Sequence, residues 1–212
     1  EGCSRIINNM FYKLITLKEI ILPESLTSIN EYAFYGCSSL TQINIPQNVN
    51  NIGQYAFASS GLTSIILPNK LQIISNNLFG GCSYLSMIMI PNNITRIESQ
   101  AFYNCINLEH IELPDNVTFI GDNAFYKCQK LTKFTLPKNL NTLYYQFLSG
   151  CINLKNLTIP DTTIKIYYSG SNYPFTDSSI EKVIFEEGRI GFNSHMFYKL
   201  ITLKEIILPE SL

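Results

Sequence analysis

The chain has 212 residues, enough for one or two ordinary domains. Its 15 Lys and Arg against 16 Asp and Glu leave a net charge of −1, which argues against a nucleic-acid binder, since that needs a basic face. Hydrophobic residues at 46% against 15% charged exclude a disordered chain, and no apolar run approaches the ~18 residues of a membrane span.

Taken in chain order, one element recurs. Apolar hexads of the form L-x-x-I-x-L end on a proline at Pro23, Pro46, Pro68, Pro91, Pro114, Pro137 and Pro160. The step is nearly constant, and only the one from Pro46 to Pro68 is shorter by a single place. An eighth hexad, 180–185, is followed by Glu186, and a ninth restores the proline at Pro209. Between the hexads stands an aromatic or Leu, at 11, 34, 57, 79, 102, 125, 148, 175 and 197, often within A-F-x-x-C. Apolar residues also follow three and six places after the proline, as in Leu26/Ile29, Val117/Ile120 and Leu140/Leu143.

A fixed period of this length predicts a solenoid of about eight to nine ~23-residue coils. Each hexad alternates apolar and polar at its end, so it reads as a short strand with one buried face. Stacked coils pair these strands in parallel, and ~4.8 Å spacing gives a stack on the order of 40 Å. Proline at the strand exit has no N–H for the ladder and ends the pairing. The residues after the proline give a second inward-facing segment. The A-F-x-x-C stretch reads as a helical turn that points Phe and Cys into the core.

The pattern L-x-x-I-x-I-P-x-x-V-x-x-I-x-x-x-A-F-x-x-C resembles the BspA-like class of leucine-rich repeats, from about residue 10 to 212. The resemblance implies a leucine-rich-repeat solenoid with a parallel β-sheet on the concave face, and short strands and helical turns on the other faces. It also implies a cell-surface or secreted protein engaged in adhesion, with no catalytic residues to carry over. Residues 10–26 recur identically as 196–212. With no polar cap at either end, this suggests one solenoid over 1–212, cut from a longer array, with an inserted loop at 167–174.

Five of the six cysteines, Cys37, Cys82, Cys105, Cys128 and Cys151, share one coil position that Leu14 and Leu200 also occupy. A place that accepts Leu is an apolar core slot, and free Cys suits it. Cys3 falls on another apolar slot and is expected buried. His110 and Glu112 share the outward face of one hexad, because the side-chain period of a strand is two. No third ligand joins them, so no metal or cofactor is called for. No phosphate loop, G-x-S-x-G or H-E-x-x-H is present, and an enzyme is not expected.

The third hexad residues run Glu19, Gln42, Ser64, Met87, His110, Lys133, Asn156, Lys182 and Glu205. The fifth run Ile21, Asn44, Ile66, Met89, Glu112, Thr135, Thr158, Ile184 and Ile207. Ile66, Met87 and Met89 make a cluster of apolar outward residues on adjacent coils, with Ser64, His110 and Glu112 beside them. Such a patch marks a partner surface or is simply strand preference. The insertion brings Tyr167, Tyr168 and Tyr173 together with Ser, Gly and Asn, the composition of adaptable binding loops. Asn93, Asn116 and Asn156 head N-x-T sequons, candidates for glycosylation in a secretory protein.

The expected function is non-enzymatic adhesion or macromolecular binding through the concave face, with a protein or glycan on a host cell or matrix as partner. The alternative is a structural array, a surface layer or filament built by end-to-end self-association. Free cysteines would equally suit a recognition module inside a cell.

Overall fold

The computed structural model describes residues 2–160, 165–166, 173–187 and 196–210. They wind into a parallel-strand solenoid of about eight turns. In chain order the strands are β1 (Arg5–Ile6), β2 (Ser28–Ile29), β3 (Asn51–Ile52), β4 (Ser64–Ile66), β5 (Ile73–Ile74), β6 (Met87–Met89), β7 (Arg96–Ile97), β8 (Phe119–Ile120), β9 (Lys133–Thr135), β10 (Thr142–Leu143), β11 (Asn156–Ile159), β12 (Lys165–Ile166), β13 (Lys182–Phe185) and β14 (Glu205–Ile207). The hexads supply β4, β6, β9, β11, β13 and β14. The segments after the prolines supply the others, so the coils build two separate parallel ladders.

The hexad ladder runs β14-β13-β11-β9 in one part and β4-β6 in another, with His110 bridged to Met87 beyond β6. The second ladder runs β1-β2-β3, breaks, and resumes as β5-β7-β8-β10-β12. Pairing is in register coil to coil: Ser64 faces Met87, Ile65 faces Ile88, and Ile66 faces Met89. The residues six after each proline pair with one another, as Ile97 does with Ile120. Strands are expected at all hexads, yet the hexads at 17–22 and 40–45 form none and the one at 108–113 makes only the bridge at His110. Among the described residues, Glu19–Leu22 and Gln42–Ile45 make no backbone hydrogen bonds. The hexad's own residues do not decide this, because the LKEIIL of 17–22 recurs at 203–208 and there forms β14.

Inside the coils the apolar positions converge. Leu26, Ile29, Val117, Ile120, Leu140 and Leu143 are wholly buried, as are the aromatics Phe34, Phe57, Phe79, Phe102 and Phe125. The rings stack face to face along the axis at centroid distances of 5.0, 5.4, 5.9, 5.5 and 5.1 Å from Phe11 through Phe125. Offset stacks of this kind add ~0.5–1.5 kcal/mol per pair beyond burial. At the next coil Leu148 takes the ring's place, and the neighbouring Phe134 and Phe147 fill the gap edge-on at 6.0 Å.

The expected helical turns are not formed; the described residues contain no helix. Each A-F-x-x-C stretch carries two residues of positive φ, two before and two after the aromatic. Tyr32 (55°) and Gly36 (69°) flank Phe34, and Gln100 (59°) and Asn104 (57°) flank Phe102. Left-handed residues so close together prevent a run of i→i−4 bonds. The donors alternate instead. Ala33, Tyr35 and Cys37 bond three residues back, while Tyr32, Phe34 and Gly36 bond to the carbonyls of Gln54, Ala56 and Ala58 on the next coil. Half of the turn's amides therefore tie neighbouring coils together. The expectation that fails is local geometry; the inward direction of Phe and Cys holds.

Side chains repeat the same coil-to-coil bonding. Asn48, Asn93 and Asn116 donate their amides to the carbonyls of Glu24, Asn69 and Asn92 at 3.1, 2.6 and 2.8 Å. Asn107 and Asn153 do the same to Ser83 and Gln129. Glu181 is clamped between Lys155 and Lys204, both at 2.8 Å, and these two ammonium groups hold its carboxyl at about 2.

Candidate functional site

The cysteine slot is as expected in place and richer in bonding. Cys37, Cys82, Cys105, Cys128 and Cys151 are free and wholly buried, and the same slot in two other coils holds the buried Ser60 and Ser178. Each of the five thiols donates to a Phe carbonyl of the preceding coil, at 3.1, 3.0, 3.1, 3.3 and 3.2 Å in chain order. Burial pushes Cys82 up to about 11 and Cys151 up to about 12, and raises Cys105 and Cys128 well above the ordinary thiol value. These thiols are core, with no nucleophilic character. Cys3, expected buried, is exposed. Its thiol donates to the Arg5 carbonyl at 3.3 Å, two residues along its own strand segment, rather than into the column of apolar slots.

On the hexad sheet the alternation places the two outward stripes as read from the sequence. Ile65 and Ile88 point inward at 4% and 5% exposure, while Ile66, Met87 and Met89 stand out at 61%, 56% and 58%. Strand pairing sets Ile66 against Met89 and Ser64 against Met87, so the three apolar side chains form one contiguous patch. His110 and Glu112 are exposed on the next coil. Beside them, where the ladder stops short of β9, lies a hollow of about 550 Å³ lined by Glu109, His110, Lys130, Thr132, Asn153 and Lys155. Lys130 reaches Glu109 at 3.2 Å across it. Among the described residues no group of His, Cys, Asp or Glu is arranged to hold a metal ion.

Tyr167 and Tyr168 lie outside the described residues. Tyr173 belongs to the coil framework: its carbonyl accepts from the Gln146 amide, its ring packs on Tyr198 at 4.6 Å, and it is 8% exposed. It takes the turn position that Tyr32 and Tyr55 take in their coils. Of the three sequon asparagines, Asn93 and Asn116 have their side-chain amides in the asparagine ladder, and Asn156 is exposed on β11 between Lys133 and Lys182.

Two surface features escape the sequence reading. Tyr12 stacks on Tyr35 at 5.1 Å and Tyr32 on Tyr55 at 4.7 Å, making a tyrosine cluster on the turn face. The signal was available, since these are the positions one after and two before the core aromatic. The second feature is a set of hollows at the places where the ladders break. A break in pairing has no sequence signature beyond the one shortened step between Pro46 and Pro68.

The model of the BspA-type leucine-rich repeat region matches residues 4–131 and 95–212, in six copies. The chain belongs to the BspA-type leucine-rich repeat family. No curated protein sequence matches. A leucine-rich repeat protein of Bacteroides ovatus superposes with a TM-score of 0.71 at 25% identity, over 99% of this chain. The chain spans 59% of the Bacteroides protein. A leucine-rich cell surface protein of Faecalibacterium prausnitzii gives 0.59 at 19% identity, over 98% of this chain and 78% of its own. The pneumococcal vaccine antigen PcpA gives 0.55 at 20%, over 87% and 60%. The last two are likenesses of fold. Among the described residues of this BspA-type chain, no helix is long and apolar enough to cross a membrane.

Proposed function

We propose that this BspA-type protein is a non-enzymatic, surface-displayed binding protein whose working face is the hexad sheet. Its partner is a protein or glycan of a host cell or matrix. Ile66, Met87 and Met89 form the centre of contact, with Ser64, His110 and Glu112 at the rim. The observation that carries the reading is the contiguous patch on β4 and β6, three large apolar side chains on adjacent coils, each more than half exposed. Methionine adapts its shape to varied partners, and a patch with a polar rim is the anatomy of a protein interface. The names of the Faecalibacterium and pneumococcal proteins support display outside the cell.

The test is a pair of charge insertions. Met89→Glu is expected to fold normally, since an outward position costs within ~0.5 kcal/mol, and to weaken attachment to cells or matrix by about 2 kcal/mol, ~30-fold. Thr135→Glu, on the same stripe two coils away, is the matched control. Equal binding by both variants and wild type overturns the reading and moves attention to Tyr167 and Tyr168. Unfolding of Met89→Glu contradicts the outward register.

A second reading rests on the identity of 10–26 with 196–212, which makes the stretch 10–195 a unit that can be repeated in phase. In it the protein is a structural array that associates end to end. Light scattering of this chain is then expected to show concentration-dependent oligomers, suppressed by fusing a polar capping coil. A strictly monomeric chain at high concentration counts against the array.

A further inference from the structure

The second ladder breaks between β3 and β5, at the one shortened coil, and a trough opens there. One hollow of about 640 Å³ is lined by four asparagines, Asn8, Asn30, Asn51 and Asn76, with Glu31 and Glu98. A second, of about 600 Å³, shares Asn51, Ile73 and Ser75 with it. The trough therefore crosses several coils on a face distinct from the hexad stripes.

Two sets of asparagines contrast among the described residues. Asn48, Asn93 and Asn116 are exposed, yet each donates its amide to a backbone carbonyl of the preceding coil. Their role is structural. Asn8, Asn30, Asn51 and Asn76 make no side-chain hydrogen bond among the described residues, although they line one hollow. Each carries two donors and an acceptor side by side. Vicinal hydroxyls of a sugar present the same alternation. Glu31 and Glu98 add acceptors for hydroxyl protons, and Ile73, 42% exposed, offers an apolar surface for sugar C–H groups. No Lys or Arg is among the residues lining the first hollow, and the nearby Arg96 guanidinium is held by Glu98 at 2.8 Å. The Lys70 ammonium at the second hollow is held by the Asn48 side-chain oxygen at 2.9 Å. With Glu98 paired to Arg96, Glu31 is the carboxylate of the first hollow whose charge no described cation offsets, and it disfavours an anionic chain there.

We propose that this trough binds a neutral oligosaccharide, with Asn30, Asn51 and Asn76 as the central hydrogen-bonding residues. Two linked hollows suit a chain of several sugars better than a single one. The recognition is independent of the hexad face, so it stands or falls separately from the patch on β4 and β6.

The probe is an array of immobilised neutral oligosaccharides with their sialylated counterparts, followed by titration of the best neutral binder in solution. Wild type is expected to bind neutral chains and to discriminate against the sialylated ones. The Asn51→Ala/Asn76→Ala variant is expected to lose at least tenfold in affinity with an unchanged melting temperature, because neither side chain has a described partner to lose. Met89→Glu is expected to bind the sugar as wild type does. The proposal is overturned if no neutral sugar binds, if sialylated chains are preferred, or if the double variant binds undiminished. It is equally overturned if Met89→Glu abolishes the binding, or if the trough captures gelatin, an extended polypeptide, through the same asparagines and takes no sugar.

Discussion

Replacing Phe102 by alanine is expected to remove about 4 kcal/mol of stability, the upper range for a buried aromatic. Phe102 is wholly buried and is the middle ring of three, at 5.5 Å from Phe79 and 5.1 Å from Phe125. The variant loses the transfer free energy of the ring and both stacking contacts, and leaves a cavity that two coils bound by turn-to-turn hydrogen bonds cannot close. Phe102 N donates to Ala124 O at 2.8 Å and Phe79 N to Ala101 O at 2.9 Å, which fixes the coil spacing whatever the side chain. For a protein of this size the melting temperature falls by roughly 10 °C. Tyr84→Ala, at 62% exposure, is the control and is expected to stay within ~0.5 kcal/mol. A loss below about 1 kcal/mol at Phe102 shows that the stack closes around the gap and that the ring column does not carry the core.

The second large effect is alkaline unfolding driven by the thiol column. Cys82, Cys105, Cys128 and Cys151 have folded pKa values raised above the unfolded 9.0, by burial first. Below pH 9 both states hold the proton and the stability is fully present. As pH rises above 9 the unfolded chain releases protons that the folded chain keeps, so stability falls toward the folded values of about 11 for Cys82 and about 12 for Cys151. Cys82 and Cys151 each contribute about 1.4 kcal/mol per pH unit in that window, so by about two units above 9 the pair opposes folding by on the order of 5 kcal/mol, and Cys105 and Cys128 act in the same direction. That is comparable with the lower range of the stability of a typical domain. Circular dichroism against pH is expected to show the wild type unfolding roughly between pH 10 and 11. Cys105→Ser/Cys128→Ser keeps the slot filled, as Ser60 and Ser178 fill it, and is expected to shift the midpoint upward. An unmoved midpoint assigns the transition to other groups. At neutral pH a thiol reagent is expected to label Cys3 alone in the native protein and all six cysteines after denaturation. A Cys–Cys cross-link between coils in the native protein contradicts the core slot.

The sequence by itself determined the period, the inward residues and the outward stripes of this protein. A ~23-residue step repeated along the chain admits one economical solution, the stacked coil, because no single coil can bury Leu26, Ile29, Phe34 and Cys37 alone. The two-residue alternation on β4 and β6 then places Ile66, Met87 and Met89 outside. Only the tertiary structure decided how the turns bond and where the ladders break. Apolar spacing in A-F-x-x-C is compatible with a helical turn, and it is the carbonyls of the next coil, brought within 2.7–3.1 Å of the Phe34 and Phe57 amides, that reward the left-handed residues instead. The same holds for the asparagines. Asn93, two after its proline, is bound into a coil-to-coil ladder, while Asn51, five after its proline, faces an open trough. Which partner an amide finds depends on the distance to a neighbouring coil, and that distance is set by the stacking of the whole molecule.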